Sequence, residues 1–374
     1  MTRVLIDCTA LPANRAGVGR YLEGLLAGLE STNIDLVVVG QERDAAALGL
    51  LAPSAHIESV PPRLTSRGLR LLWEQFGLPA IARRLRVDVI HSPHYTYPLF
   101  WRGGRVVTVH DATFFSDPEV HSALKRFFFR TWIRLDWRSA DVVVAPSAAT
   151  VSEVERYLGA AKAGVRVAHH GVDARLFHAP STAEVADFAR EIPAIGDNGW
   201  FAFLGTIEPR KNLAALLDAH AMLGEGAPPL LVSGGRGWDA DVLARLDAGQ
   251  PGVVALGYLP FEQLPALLGG ATAVMYPSLG EGFGLPVLEA MSCGAAVITT
   301  DRLALPEVGG DAVEYTGVDA AAIAATMREL LASPARRAEL SGLARARAAR
   351  FTWEATAVAH VAAYERAAPA PAPR

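Results

Sequence analysis

The sequence predicts an α/β protein built as two tandem, doubly wound, Rossmann-like domains, and three observations carry that expectation. At 374 residues the chain is longer than one core usually serves, and with 51% hydrophobic and 20% charged residues it can bury two. Short runs rich in valine and isoleucine alternate with longer amphipathic stretches, the rhythm of parallel strands joined by helical crossovers. That rhythm stops and restarts around "HHGVDARLFHAPS" (169–181), which places the joint between the domains near residues 171–180.

In the first half, strands are expected at 3–7 (RVLID), 35–39, 87–90 (VDVI), 105–109 (RVVTV), 141–145 (DVVVA) and 165–168. In the second half they are expected at 200–204 (WFAFL), 229–233 (PLLVS), 253–256, 272–276 (TAVMY) and 295–299 (AAVIT). The domains are then 1–175 and 176–350. Residues 351–366 read as one apolar helix, and the tail 367–374, ending "APAPAPR", has nothing to bury and cannot propagate a helix.

Composition narrows the function. Cys8 and Cys293 lie far apart in apolar runs with no metal-ligand spacing, as expected of a reducing compartment without a disulfide framework. The apolar run at the N-terminus is too short for a signal peptide, and no run reaches the roughly 18 apolar residues of a membrane span, so a cytoplasmic protein is expected. The net charge of −4 hides an asymmetry, because residues 60–140 carry 13 Lys or Arg against 6 Asp or Glu. Within that segment, "LKRFFFRTWIRLDWRSA" (124–140) places Arg126, Arg130, Arg134 and Arg138 four residues apart. Such a helix can lie on an anionic membrane surface, such as the inner face of the plasma membrane, or simply cover a sheet with its polar face solvated. Nucleic-acid binding is not expected of a chain with negative total charge and no binding motif.

The most informative stretch is "YPSLGEGFGLPVLEAMSCG" (276–294), with Glu281 and Glu289 eight positions apart and glycines packed around the first. Ligands of open α/β sheets bind beyond the carboxyl ends of the strands, and the strand at 272–276 runs out there. Pro286 suits the first turn of a helix and Gly294 its stop, so residues 286–293 read as a short helix entered through a glycine loop. Without side chains at Gly282 and Gly284, the backbone N–H groups of Phe283, Gly284 and Leu285 can approach an anion at the positive end of that helix. Two carboxylates flanking a phosphate cradle are suited to sugar hydroxyls, which implies a sugar nucleotide. The plain alternative is an ordinary turn with both glutamates solvated. A glycosidase also uses paired carboxylates, but its acid must stay protonated, and N–H donors at a helix start lower a nearby carboxyl pKa instead.

"FLGTIEPRKNLAALLDA" supplies the opposite charge. Arg210 and Lys211, the latter one of only three lysines, follow the strand at 200–204 and its Gly205, and precede a helix expected near Asn212. Two fixed cations there can neutralise a diphosphate leaving group without a metal. Asp239-Ala240-Asp241 has the look of a metal-binding D-x-D but opens a helix pattern, where aspartates cap; no metal is expected. In the first half, Gly17 and Gly19 precede a helix, yet Leu22 stands where a dinucleotide fingerprint needs its third glycine. His110, at the carboxyl end of a strand in "VVTVHDATFF", is a candidate to hydrogen-bond sugar hydroxyls; His91 and His94 are weaker ones.

Taken together, "GTIEPRKNL", "PSLGEGFGLPVLEAMSCGAAVI", "TVHDATFF" and "GVGRY" resemble the family-4 (group 1) retaining glycosyltransferases of GT-B fold, over roughly residues 3–366. The resemblance implies that Glu289 binds the donor ribose and Glu281 the transferred sugar. It further implies that the Phe283 and Gly284 amides bind sugar or diphosphate, that Arg210 and Lys211 bind the diphosphate, that His110 contacts the sugar, and that Gly17 and Gly19 line the phosphate or acceptor side. The final helix would return to the first domain. Where many members carry an arginine after the glycine of the second domain's first strand, this chain has Thr206, which places more of the charge on Arg210 and Lys211. The implied reaction moves a hexosyl group with retention from a nucleoside diphosphate sugar, the donor, to a hydroxyl of a glycan or lipid-linked acceptor. The motifs look most like bacterial mannosyl- or rhamnosyltransferases, with GDP-mannose the first donor to consider and the base met near Gly257–Leu259. A nucleotide-sugar 2-epimerase of the same fold and a catalytically idle binding subunit are the alternatives.

Overall fold

The computed structural model describes residues 1–11, 17–60, 66–116, 122–196 and 198–369. It comprises two compact units, Met1–Gly171 with Thr352–Arg374, and Val172–Phe351. The chain therefore changes units at Gly171/Val172 and Phe351/Thr352, where the sequence placed the joints at 175/176 and 350/351. The closing helix, Trp353–Ala367, begins and ends slightly later than expected. Of the tail, residues 370–374 lie outside the described residues.

The first unit holds one parallel sheet of seven strands: β1 (Arg3–Asp7), β2 (Asp35–Gln41), β3 (His56–Val60), β4 (Val89–Ser92), β5 (Gly104–Thr108), β6 (Val142–Ala145) and β7 (Gly164–Val167). Their order is β3-β2-β1-β4-β5-β6-β7. The second unit has six parallel strands: β8 (Phe201–Leu204), β9 (Leu230–Ser233), β10 (Val253–Gly257), β11 (Ala273–Tyr276), β12 (Val297–Thr300) and β13 (Glu314–Thr316). They are ordered β10-β9-β8-β11-β12-β13. In each sheet the winding reverses beside the unit's first strand, at β1/β4 and at β8/β11, and such reversals are where doubly wound sheets bind ligands. Every expected strand is present. The sequence reading omitted β3 and β13, both of which lie on a sheet edge. Edge strands are covered less completely, and HIESV and EYT carry polar residues where an interior strand would be apolar.

The first unit closes around the contact between helix Gly17–Leu29 and helix Trp353–Ala367. A Cβ at Gly24 would sit 2.0 Å from the Trp353 ring, and one at Gly28 would sit 2.3 Å from the Trp353 carbonyl oxygen. Two glycines of the "GVGRYLEGLLAGL" run thus serve close helix packing. Beneath this contact lies a buried polar ladder. The Tyr21 hydroxyl is 2.8 Å from Thr108 Oγ1 and 2.9 Å from His360 Nε2, while His91 bridges Thr108 Oγ1 (2.8 Å) and the Tyr364 hydroxyl (2.9 Å). His170 stacks at a tilt on Tyr21, with ring centroids 4.9 Å apart.

Burial lowers the pKa of each of these imidazoles, and neighbouring imidazoles lower them further, His360, His110 and His94 acting on His91, His110, His360 and His169 on His170, and His110 on His360. His360 falls to about 4 and His94 to about 3. A lowered native pKa means that below the ordinary value of about 6.5 the unfolded chain binds protons that the fold refuses, so stability is lost as pH falls from about 6.5. His360 alone accounts for roughly 3 kcal/mol of that loss by pH 4. Thermal unfolding followed by circular dichroism should therefore show Tm dropping steadily from pH 7 to pH 5. A flat profile there would contradict the neutral ladder.

Candidate functional site

In the second unit the reversal at β8/β11 brings together two loops that are far apart in the sequence. After β8 the chain makes a 3-10 turn, Pro209–Lys211, and passes through Asn212 in the left-handed region (φ 57°) into helix Leu213–Ala221. Arg210 and Lys211 thus sit in the turn, ahead of the helix. After β11 the chain runs through Pro277–Gly284 into helix Leu285–Ser292. The loop is pinned by Thr299 Oγ1 donating to the Tyr276 carbonyl (2.8 Å) and Thr300 Oγ1 to the Ser278 carbonyl (2.6 Å). It is tied to the turn by Leu279 N–H donating to the Arg210 carbonyl (2.8 Å).

Four charged side chains converge where the loops meet. Glu281 Oε1 accepts from Lys211 Nζ (2.6 Å), the Tyr276 hydroxyl (2.9 Å) and Ser278 Oγ (2.7 Å). Its Oε2 accepts from Arg210 Nη1 (2.5 Å). Arg210 also donates to the Gly280 carbonyl (2.7 Å) and, through Nη2, to Glu208 Oε1 (2.7 Å), which lies 3.9 Å from Lys211 Nζ. Lys211 further donates to the Tyr276 hydroxyl, which in turn donates a hydrogen bond to Glu281. Glu208, Lys211 and Glu281 are each 8% exposed, so the expectation of a solvated glutamate does not hold.

Burial raises the Glu281 carboxyl, but Arg210 and Lys211 more than offset it and hold the pKa at about 2. Burial draws Lys211 below the ordinary lysine value, assisted by Arg210 and opposed by Glu281 and Glu208. Burial and the Glu281 charge keep the Tyr276 phenol protonated. Glu281 is therefore a carboxylate throughout the physiological range.

Beyond this cluster, Gly284 caps helix Leu285–Ser292 at φ +103°. The first N–H groups of such a helix have no partner within it, and its dipole favours an anion there. Phe283 is buried and stands edge-on to Phe351, ring centroids 6.0 Å apart. Glu289, in the helix, is 2% exposed. Cations, carboxylates and a helix start are thus assembled in one unit at its switch point.

Comparison with known proteins agrees with that arrangement. Residues 15–176 match the family described as Glycosyltransferase Family 4, and residues 199–333 match Glycosyl transferases group 1. O-antigen chain mannosyltransferase B of Escherichia coli is 32% identical over 304 residues, covering 74% of each chain. The chain belongs to glycosyltransferase family 4. Among solved structures, sucrose-phosphate synthase from Thermosynechococcus elongatus superposes with a TM-score of 0.78 at 19% identity, covering 98% of this chain and 99% of that one. HepE of Anabaena, in complex with UDP-glucose, gives 0.78 at 16% identity, covering 98% and 100%. Both likenesses establish the fold, the paired Rossmann-like units of GT-B.

The remaining expected residues of this glycosyltransferase are placed as follows. Gly205 continues β8, and its N–H donates to the Ser233 carbonyl (3.0 Å), so that amide is committed to the fold. His110 lies just past β5 in the first unit, half-buried, with Nε2 donating to the Pro93 carbonyl (2.7 Å) and its ring edge-on to Tyr21. That bond puts the proton on Nε2, and burial lowers the pKa, so the ring is neutral. Gly17 opens helix Gly17–Leu29 at an exposed position and Gly19 is buried within it, while residues 12–16 of the expected loop lie outside the described residues. Asp239 caps helix Ala240–Asp247 by accepting from Val242 N–H (3.3 Å), the role expected for it. Of the arginines in helix Ala123–Ser139, Arg130 donates to the Phe114 carbonyl (2.6 Å), and both Arg130 and Arg134 lie over the Phe115 ring at 5.3 and 5.4 Å. Arg130 and Arg134, expected either to face an anionic membrane or to be solvated, therefore also make contacts within the first unit.

Sequence reasoning missed Glu208, Tyr276 and Ser278. Their signal was positional, since each lies within a few residues of a strand end at the switch point, but none belongs to a spacing motif. Gly284→Ala tests the loop. A Cβ there meets Leu305 Cδ2 at 2.9 Å in a backbone region that L-residues avoid. The variant should lose about 1–3 kcal/mol in urea unfolding.

Proposed function

We propose that this glycosyltransferase is a retaining, metal-independent hexosyltransferase that moves mannose from GDP-mannose to a hydroxyl of a glycan or lipid-linked acceptor in cell-envelope polysaccharide or glycolipid assembly. The observation that carries it is the Arg210–Lys211 pair held at the β8/β11 switch point beside the start of helix Leu285–Ser292. The name of the E. coli relative supports mannose and a polysaccharide product.

In the reaction the bond between the sugar's anomeric carbon and the diphosphate oxygen breaks, and its electron pair leaves on the phosphate. Arg210 and Lys211 stabilise that developing charge, a duty two fixed cations can fulfil without a divalent ion. The acceptor oxygen bonds to the anomeric carbon on the face the phosphate vacates, and its proton passes to a phosphate oxygen. Glu281 is unsuited to be that base, because a carboxyl with a pKa of about 2 takes no proton near neutrality. Its place in this scheme is to hold hydroxyls of the transferred sugar, with Glu289 at the ribose, the Phe283, Gly284 and Leu285 amides at the sugar or diphosphate, and the base near Gly257–Leu259. The first unit receives the acceptor, with His110, Gly17 and Gly19 on that side.

The protein is further proposed to work in the cytoplasm, at an anionic membrane surface. Among the described residues no helix is long and apolar enough to cross a membrane. Helix Arg67–Arg84 instead exposes Leu69, Leu72 and Phe76 at i, i+3, i+7, and Phe76 stacks on exposed Phe100 at 5.2 Å. Arg83 donates to the Phe100 carbonyl (3.2 Å), which sets a cation beside that apolar surface. An apolar patch rimmed by arginine suits an anionic bilayer.

Lys211→Ala should lower turnover by about 10² to 10³ through lost leaving-group stabilisation, with little change in thermal stability of the first unit. Near-normal transfer by that variant in a radiolabelled-sugar assay would remove the assigned role. Separately, Phe76→Asp with Phe100→Asp should abolish co-sedimentation with phosphatidylglycerol vesicles while leaving transfer to a water-soluble acceptor intact, and undiminished sedimentation would contradict the membrane face.

A further inference from the structure

Glu281 is heavily engaged. Of the roughly four lone-pair positions a carboxylate offers, three donors, Lys211, Tyr276 and Ser278, crowd Oε1 and one, Arg210, holds Oε2. The same two cations are the ones assigned to the diphosphate, and Glu281 is the residue assigned to the transferred sugar. Arg210 and Lys211 cannot give a diphosphate the N–H bonds they now give Glu281, and sugar hydroxyls cannot take those places on Glu281 until the cations turn away. If the cations turn to a diphosphate, Glu281 is left short of donors in a buried place, which is costly. If hydroxyls of a sugar arrive with that diphosphate, they supply the missing donors.

We propose that Glu281 is an internal counter-ion that competes with phosphate for Arg210 and Lys211, and that only a nucleotide carrying a sugar settles the competition. On the intact donor the exchange is balanced, because the cations move toward the diphosphate while sugar hydroxyls take their places on Glu281. After transfer the nucleoside diphosphate remains without those hydroxyls. Glu281 then draws the cations back, weakening the hold on the product and selecting the donor over it. Glu208 contributes in the same sense, since it holds Arg210 from the other side and lies near Lys211.

This inference rests on the donor reading above, and the test separates the two. Binding of GDP, UDP, GDP-mannose and UDP-glucose is measured by isothermal titration calorimetry for the full chain and for Glu281→Gln. The amide keeps the shape and an acceptor for Ser278 but removes the charge. Glu281→Gln should bind the nucleoside diphosphate at least about tenfold tighter, with a smaller gain for the matching nucleotide sugar, so that preference for the donor shrinks. Wild-type binding of GDP or UDP with no gain in Glu281→Gln overturns this inference alone. Wild-type protein that binds none of the four ligands overturns the donor reading and this inference together. Should circular dichroism show Glu281→Gln unfolded, Glu208→Gln carries the test. It should tighten nucleoside diphosphate binding by about threefold, and unchanged or weaker binding overturns the proposal.

Discussion

The second unit depends on the mutual neutralisation of Glu281 with Arg210 and Lys211. Removing an ion from water costs several kcal/mol even after the protein relaxes, and here Glu208, Lys211 and Glu281 are all nearly inaccessible. Each is tolerable only because the others are present, with Tyr276 and Ser278 supplying the remaining hydrogen bonds. The backbone shares in the arrangement, since the Arg210 carbonyl receives the Leu279 N–H and the Arg210 guanidinium reaches the Gly280 carbonyl. The charges that would meet a diphosphate therefore also fix the loop that leads into the glycine-capped helix. Order in the loop and charge in the site have the same source.

Much of this was legible in the sequence, for reasons that can be named. The strand rhythm is strong because both sheets are parallel and mostly covered on two faces, so interior strands such as FAFL and AVMY are apolar throughout. The rhythm fades at β3 and β13 because an edge position relaxes that requirement. The motif carrying Glu281 and Glu289 is readable because glycine, proline and carboxylate spacing within one short segment has a local meaning. Its partners are not readable in that way. Glu208 meets Arg210 over two residues, but Arg210 and Lys211 meet Glu281 across about seventy, through the adjacency of β8 and β11. Strand order is a property of the whole sheet, and a spacing motif cannot express it.

The first unit shows the opposite case, a chemical residue type used for construction. A histidine past the end of a strand can serve a ligand or the fold, and the sequence presents both alike. His91 and His360 belong to the fold, bound into the ladder of Tyr21, Thr108 and Tyr364 that joins β4 and β5 to the first and last helices. His110 is intermediate, with one ring nitrogen committed to the Pro93 carbonyl and the ring only half-buried. The glycines of the first helix divide similarly. Gly24 and Gly28 are required by Trp353, whereas a side chain at Gly17 would meet open space.

The state of Glu281 also decides between the two chemistries that paired carboxylates suggest. A glycosidase needs one carboxyl held protonated near neutrality to give a proton to the leaving oxygen. Here two cations and two hydroxyls hold Glu281 ionised, and protonating it would leave the buried Lys211 and the half-buried Arg210 with only Glu208 to offset them. A leaving group that needs no proton, such as the diphosphate of the proposed donor, would suit such a site. Glu281, held ionised in this way, is not the protonated acid that hydrolysis would ask of it.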